Sequence, residues 1–314
     1  MSRFRLRFWL LSAAAILLAA APVFAADGAA GATGTMAWWM WPLLLFIVCF
    51  ALGIVAVPAG VGGGVLFVPI VAGFFPFHLD FVRGAGFMVG LSSAVAASPS
   101  LLRLNLADLR LALLPSLLIS VSQMAGAVIG LELPAALVQT MLGLAILGIV
   151  ALMWVAKKSE LPTVSQPDPI AAALRINGVF YDAARGRDIA WKVHRTGTGL
   201  ITFTAIGVLA GIFGVGAGWA NVPTLNLLMG APLKVSAGTS SLILAMTTPS
   251  AAWIYINQGA MLPIIVVPSI VGIILGALIG VRLLRVVKAS AIRHLVIALL
   301  LIAGLRALMR GLGL

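Results

Sequence analysis

Charge is what this sequence has least of. Only 9% of its 314 residues are Asp, Glu, Lys or Arg, and 62% are hydrophobic. A soluble domain carries roughly 25% charged residues, so there are too few here to coat a water-soluble chain of this length. Cysteine is nearly absent: Cys49 stands alone in an apolar run, which excludes an intrachain disulfide. The three histidines, His78, His194 and His294, are far apart and lack metal-ligand spacing. No Ser-His-Asp or paired-carboxylate arrangement marks an intramembrane enzyme. No catalytic residue, metal or cofactor is therefore expected. The eight acidic residues (Asp27, Asp80, Asp108, Glu132, Glu160, Asp168, Asp182, Asp188) all fall in loops or at segment ends. Proton-coupled pumps usually bury a carboxylate or histidine within a span.

The formal charge of +12 does not indicate nucleic acid. That reading needs basic residues clustered on a soluble face, whereas here they lie between apolar spans. Their distribution is better explained by orientation in a bilayer.

What the chain has in abundance is apolar runs of about 20 residues, each enough for a membrane helix. They fall at 38–57, 59–75, 84–103, 110–130 and 135–156, then at 197–213, 215–231, 236–256, 262–282 and 291–310. No alternation of a transmembrane barrel is visible. The expected fold is an all-α polytopic membrane protein of about ten spans. Residues 1–26 read as a signal-like segment, with Arg3, Arg5 and Arg7 before an Ala-rich core and a small-residue exit. An uncleaved first helix is the alternative. A spacer (27–37), a first membrane repeat (38–156), a cytoplasmic connector with a short hairpin (157–196) and a second repeat (197–314) follow.

The halves share landmarks. Gly60-Val61-Gly62-Gly63-Gly64…Val68-Pro69 returns 154 positions later as Gly214-Val215-Gly216-Ala217-Gly218…Val222-Pro223. Gly126–Gly130 and Ser98-Pro99 return as Gly276–Gly280 and Thr248-Pro249 at an offset of 150. With the N-terminus outside, Arg103, Arg110, Lys234, the connector and the stretch from Arg282 to Arg293 place fourteen basic residues inside. Arg83, Arg306 and Arg310 are outside, an asymmetry that follows the positive-inside rule. Five crossings per unit make the second repeat inverted, a recurrent plan of secondary transporters with midplane sites. The setting is then a bacterial inner membrane, with a periplasmic N-terminus after signal cleavage.

Two readings of the glycines compete. One is small-residue packing between helices. The other is a broken helix whose free N–H groups hold an anion, which the glycine density and Pro58, Pro69 and Pro223 favour; a phosphate loop is excluded, since no Gly-Lys-Ser/Thr follows. The candidate substrate site comprises Gly62, Gly63 and Gly64 with Ser92 and Ser93. From the second half come Gly216, Ala217, Gly218, Asn221, Thr239, Ser240 and Ser241. Hydroxyls donate to anionic oxygens without adding fixed charge; the competing role is a bond to a carbonyl one turn back. Arg83 and Lys234 are entrance charges, or residues at the water boundary.

The duplicated glycine pattern, Ala237-Gly238-Thr239-Ser240-Ser241, and Gly178-Val179-Phe180-Tyr181-Asp182…Trp191 together resemble the TauE/SafE family of sulfite and organosulfonate exporters. The resemblance covers about residues 38–310. It implies export of a small sulfur-containing anion, with the lipid bilayer as the other partner. Two departures are Ala217 in place of a glycine and Arg83-Gly84-Ala85-Gly86 in place of a Gly-Thr-Ser-like stretch. Import of another small anion, or a membrane scaffold using the hairpin as its binding surface, are the alternatives.

Overall fold

Helix follows the apolar runs, because a bilayer offers no water to unpaired backbone groups. The computed structural model describes residues 39–59, 62–155, 161–162, 164–182, 186–284 and 289–313. The signal-like segment and the spacer lie outside these. The first half forms α1 (Met40–Ala59), α2 (Gly63–Phe74), α3 (Leu79–Arg103), α4 (Leu109–Glu132) and α5 (Ala135–Val155). The connector holds α6 (Pro169–Ala173) and the strands β1 (Asn177–Asp182) and β2 (Arg187–Lys192). The second half forms α7 (Thr196–Phe213), α8 (Gly218–Pro223) with a π turn (Thr224–Leu228), α9 (Leu233–Asn257), α10 (Pro263–Leu284) and α11 (Ala289–Gly311).

Among the described residues, α1, α3, α4, α7 and α10 are long and apolar enough to cross a membrane. α2 is not: its 12 residues rise about 18 Å, against a hydrocarbon core of about 30 Å. α8 and its π turn are no longer. Both short helices follow a glycine-rich stretch.

Packing between the halves is reciprocal. α1 lies along α10 as α4 lies along α7; α3 meets α9, and α5 meets α11. Small residues make the closest crossings. A Cβ on Gly53 would sit 2.6 Å from the Ile273 carbonyl oxygen and 2.9 Å from Gly276 Cα. On the other side, one on Gly211 would sit 2.6 Å from Ala127 N and 2.8 Å from Gly126 C. The second glycine block thus does the small-residue packing, drawing backbones together where the bilayer supplies no hydrophobic drive. The prolines repeat too. Ser98 and Thr248 each donate to the carbonyl one turn back (Ala94, 2.7 Å; Leu244, 2.6 Å), immediately before Pro99 and Pro249.

Gly276→Ala is expected to destabilise the bundle by about 1–3 kcal/mol through overpacking, since its Cβ would press on the Phe50 carbonyl. Gly148→Ala, with nothing near its Cβ position, is the matched control. Thermal unfolding in detergent should separate the two variants, and equal melting temperatures would disprove the close crossing.

β1 and β2 pair antiparallel, with Phe180 opposite Ile189 and Gly178 opposite Trp191. Phe180, Trp191 and Val193 are buried in one cluster with Leu111, Phe203 and Met229. His194 N–H donates to the Met229 carbonyl (2.9 Å), and Thr196 Oγ1 to Asp168 Oδ1 (2.7 Å). The hairpin is docked on the bundle. At the opposite face, Trp41 packs on Phe75 and Phe77. There Arg306 Nε donates to the Gly73 carbonyl (2.7 Å), and Arg310 Nη1 to those of Ala72 and Phe75. Cations at the C-terminus of α2 complement its open carbonyls and its dipole. That local role accounts for two basic residues on the face with few others.

Candidate functional site

Both glycine-rich stretches break a helix. α1 stops at Ala59 and α2 starts at Gly63, while Gly60 and Val61 lie outside the described residues. Gly62 has φ 79° and ψ 147°, a combination close to glycine-only backbone space. In the second half, α7 ends on Gly214 in the left-handed region (φ 70°, ψ 12°), its N–H donating to the Ala210 carbonyl at 3.0 Å. Gly216 repeats the positive φ, at 69°. Ala217 has φ −81° and ψ −3°, an ordinary conformation, so alanine fits where the resemblance leads one to expect glycine.

The breaks converge. A Cβ on Gly62 would lie 2.5 Å from Leu244 Cδ1, and one on Gly216 would lie 3.1 Å from Leu244 Cδ2. One leucine, midway along α9, fills the space between them. The breaks also touch directly. A Cβ on Gly64 would lie 3.2 Å from the Val215 carbonyl oxygen, and one on Gly86 2.6 Å from that of Gly214.

Leu244 has hydroxyls on either side. Ser240 and Thr247 stand one turn before and after it, on the same face of α9. Both are buried, and neither hydroxyl has a hydrogen-bond partner among the described residues. Asn221, one turn into α8, is buried with both Oδ1 and Nδ2 unpartnered, as is Trp219 Nε1. Buried polar atoms are nearly always paired, so these unpaired groups on α8 and α9 are candidates to receive a ligand. At the start of α2, Gly63 N–H donates to Ser93 Oγ (3.0 Å), which donates to the Gly90 carbonyl (2.9 Å). The next N–H groups, of Gly64 and Val65, have no acceptor within their helix, and neither do those of Gly218 and Trp219 at the start of α8. Donors of this kind hold an oxyanion without a permanent counter-charge.

The remaining candidates lie elsewhere. Ser92 is half-buried beside Ser93. Ser241 Oγ donates back to the Ala237 carbonyl (3.3 Å), and Thr239 Oγ1 accepts from Asp108 N–H (3.1 Å), tying the α3–α4 loop to α9. Lys234 is exposed at the first turn of α9. Arg83, placed by the sequence at an entrance or the water boundary, is fully buried, and its Nη1 donates to Asp80 Oδ1 at 2.8 Å. Leu244, Thr247 and Trp219 were not singled out by sequence. Trp219 carried a usable signal, an indole inside a glycine-rich turn; Leu244 is one leucine among many.

A family model described as sulfite exporter TauE/SafE matches residues 44–307. No curated protein and no solved structure gives a significant match.

Proposed function

The chain belongs to the sulfite exporter TauE/SafE family, and from that premise we propose that it carries a small sulfur-containing anion, sulfite or an organosulfonate, out of the cell. The two halves form inverted repeats of five helical segments each, of which α2 and α8 enter the bilayer without crossing it, in a bacterial inner membrane with the N-terminus periplasmic after signal cleavage. The reciprocal packing of α1 on α10 and α4 on α7 supports that plan. Residues 38–156 and 197–314 are the repeats, and 157–196 a cytoplasmic connector.

One observation carries the reading: two broken helices meet at a single leucine flanked by buried, unpartnered hydroxyls. The anion sits there, taken by the free N–H groups at the starts of α2 (Gly64, Val65) and α8 (Gly218, Trp219) and by Ser240 and Asn221. Thr247 joins this set. Ser93 acts behind it, holding the first turn of α2 in place. Leu244 must swing aside for the anion to pass, and relative movement of the halves exposes the site to each side in turn.

Purified protein in liposomes loaded with sulfite, sulfoacetate, taurine or sulfate tests this. Efflux of one sulfur anion above protein-free liposomes is the expected result. Folded protein that moves none of them would overturn the transport reading. Accumulation against the outward direction would make it an importer.

A further inference from the structure

Among the described residues, the least satisfied charge lies behind the second glycine break. Arg83, in the second turn of α3, is wholly buried. Its Nη1 bonds Asp80, but Nε and Nη2 have no partner among the described residues. Those two nitrogens present their N–H bonds side by side, the fork that matches two oxygens of a carboxylate, sulfonate or phosphate. A buried cation with half its donors idle is costly, and proteins do not usually keep one without use.

Its surroundings place it on a route. The guanidinium lies over the Tyr255 ring (5.5 Å to the centroid), and the Tyr255 hydroxyl donates to the Gly211 carbonyl near the end of α7. Gly214, which opens the second break, backs directly onto Arg83: a Cβ there would lie 2.5 Å from Arg83 Cβ. Gly130 backs onto Nη2 in the same way, since a Cβ there would overlap it. On the far side, Asp80 lines a cavity of about 620 Å³ with His78, Phe81, Glu132, Gln258 and Ala260. Asp80 is partly exposed while Arg83 is not. The ion pair thus separates the cavity from the second glycine break.

We propose that Arg83 is a transit site for the oxyanion between the central site and this cavity, with Asp80 as a built-in counter-ion. The passing anion takes the Nε–Nη2 fork and loosens the hold of Asp80, which re-forms behind it and closes the route. This rests on the anion-transport reading and adds the step nearest the face opposite the hairpin.

The test is sulfite efflux and sulfite-induced thermal stabilisation, measured on wild type, Arg83→Lys and the double variant Asp80→Asn/Arg83→Gln. The double variant removes both charges, so no lone buried charge is left to unfold the protein. Expected is a folded double variant with efflux at least tenfold lower and weaker stabilisation by sulfite, and an Arg83→Lys variant that is also impaired because lysine lacks the fork. A folded double variant with wild-type efflux would overturn the proposal. So would one that fails to fold, since the pair would then be a structural tie. If wild type itself moves no sulfur anion, the transport reading falls and takes this inference with it; loss confined to the variants leaves that reading intact.

Discussion

Gly62→Ala is expected to lower efflux about 100-fold, and removing Leu244 should not restore it. At φ 79°, ψ 147°, any side chain is strained by about 1–3 kcal/mol, and about 1.4 kcal/mol is a tenfold change in rate. The added Cβ would also lie 2.5 Å from Leu244 Cδ1. Leu244→Ala relieves the second problem and leaves the first. Gly216→Ala separates the two effects. Its left-handed backbone strains alanine by about 1–2 kcal/mol, and its Cβ meets only the flexible end of Leu244, at 3.1 Å. A drop of about tenfold is expected there, largely recovered in the pair Gly216→Ala/Leu244→Ala. Leu244→Ala alone should raise efflux, because it opens the space between the breaks. Each variant needs a monodisperse gel-filtration peak before its flux is read. Equal loss at both glycines, or full rescue of Gly62→Ala, would show that backbone geometry at the breaks is not what transport requires.

These glycines were legible because they violate the surrounding pattern. Four of them within five residues, at 60–64, cannot sit comfortably in a membrane helix, and their near-duplication at 214–218 marked both breaks. Most helical segments were equally readable from length and apolarity, but the spans expected at 59–75 and 215–231 are short helices, because the glycine breaks take up the start of each run. The proposed site was half readable. Ser240 and Asn221 could be chosen as polar groups in apolar sequence, but nothing in the sequence separated Ser240 from Thr239 or Ser241. Those three differ only by rotation about α9, which depends on tertiary packing. One is buried without a partner, one ties down the α3–α4 loop, and one bonds its own helix. Arg83 was misplaced for a related reason: a charge at a segment end normally reaches water, and only the fold shows Asp80, Tyr255 and two glycines enclosing it. The bonds of Arg306 and Arg310 to the carbonyls at the end of α2 were likewise not legible, since they join residues more than 230 positions apart.

Export should follow the membrane potential. Every described carboxylate sits at a helix end or in the connector: Asp80 in the first turn of α3, Asp108 capping α4 through Leu111 N–H (2.7 Å), Glu132 ending α4, and Asp168, Asp182 and Asp188 near or in the hairpin. Apart from Arg83, the unpartnered groups on the elements that form the breaks are a serine, a threonine, an asparagine and an indole, none of which exchanges a proton near neutral pH. An anion crossing such a centre takes its charge with it. An inside-negative potential of about 100 mV then favours export by about 2.3 kcal/mol per charge, or about 50-fold outside over inside for a monoanion. For a dianion such as sulfoacetate the ratio is squared, to about 2,500-fold. Liposomes with the potential clamped by potassium and valinomycin should show efflux rising with the imposed voltage, more steeply for sulfoacetate than for taurine, whose net charge is near zero. A pH gradient at zero potential should then drive little. The opposite result, accumulation set by the pH gradient and indifferent to voltage, would require a proton site. His78, on the rim of the cavity beside Asp80, is where to look for one, and His78→Gln would abolish that coupling.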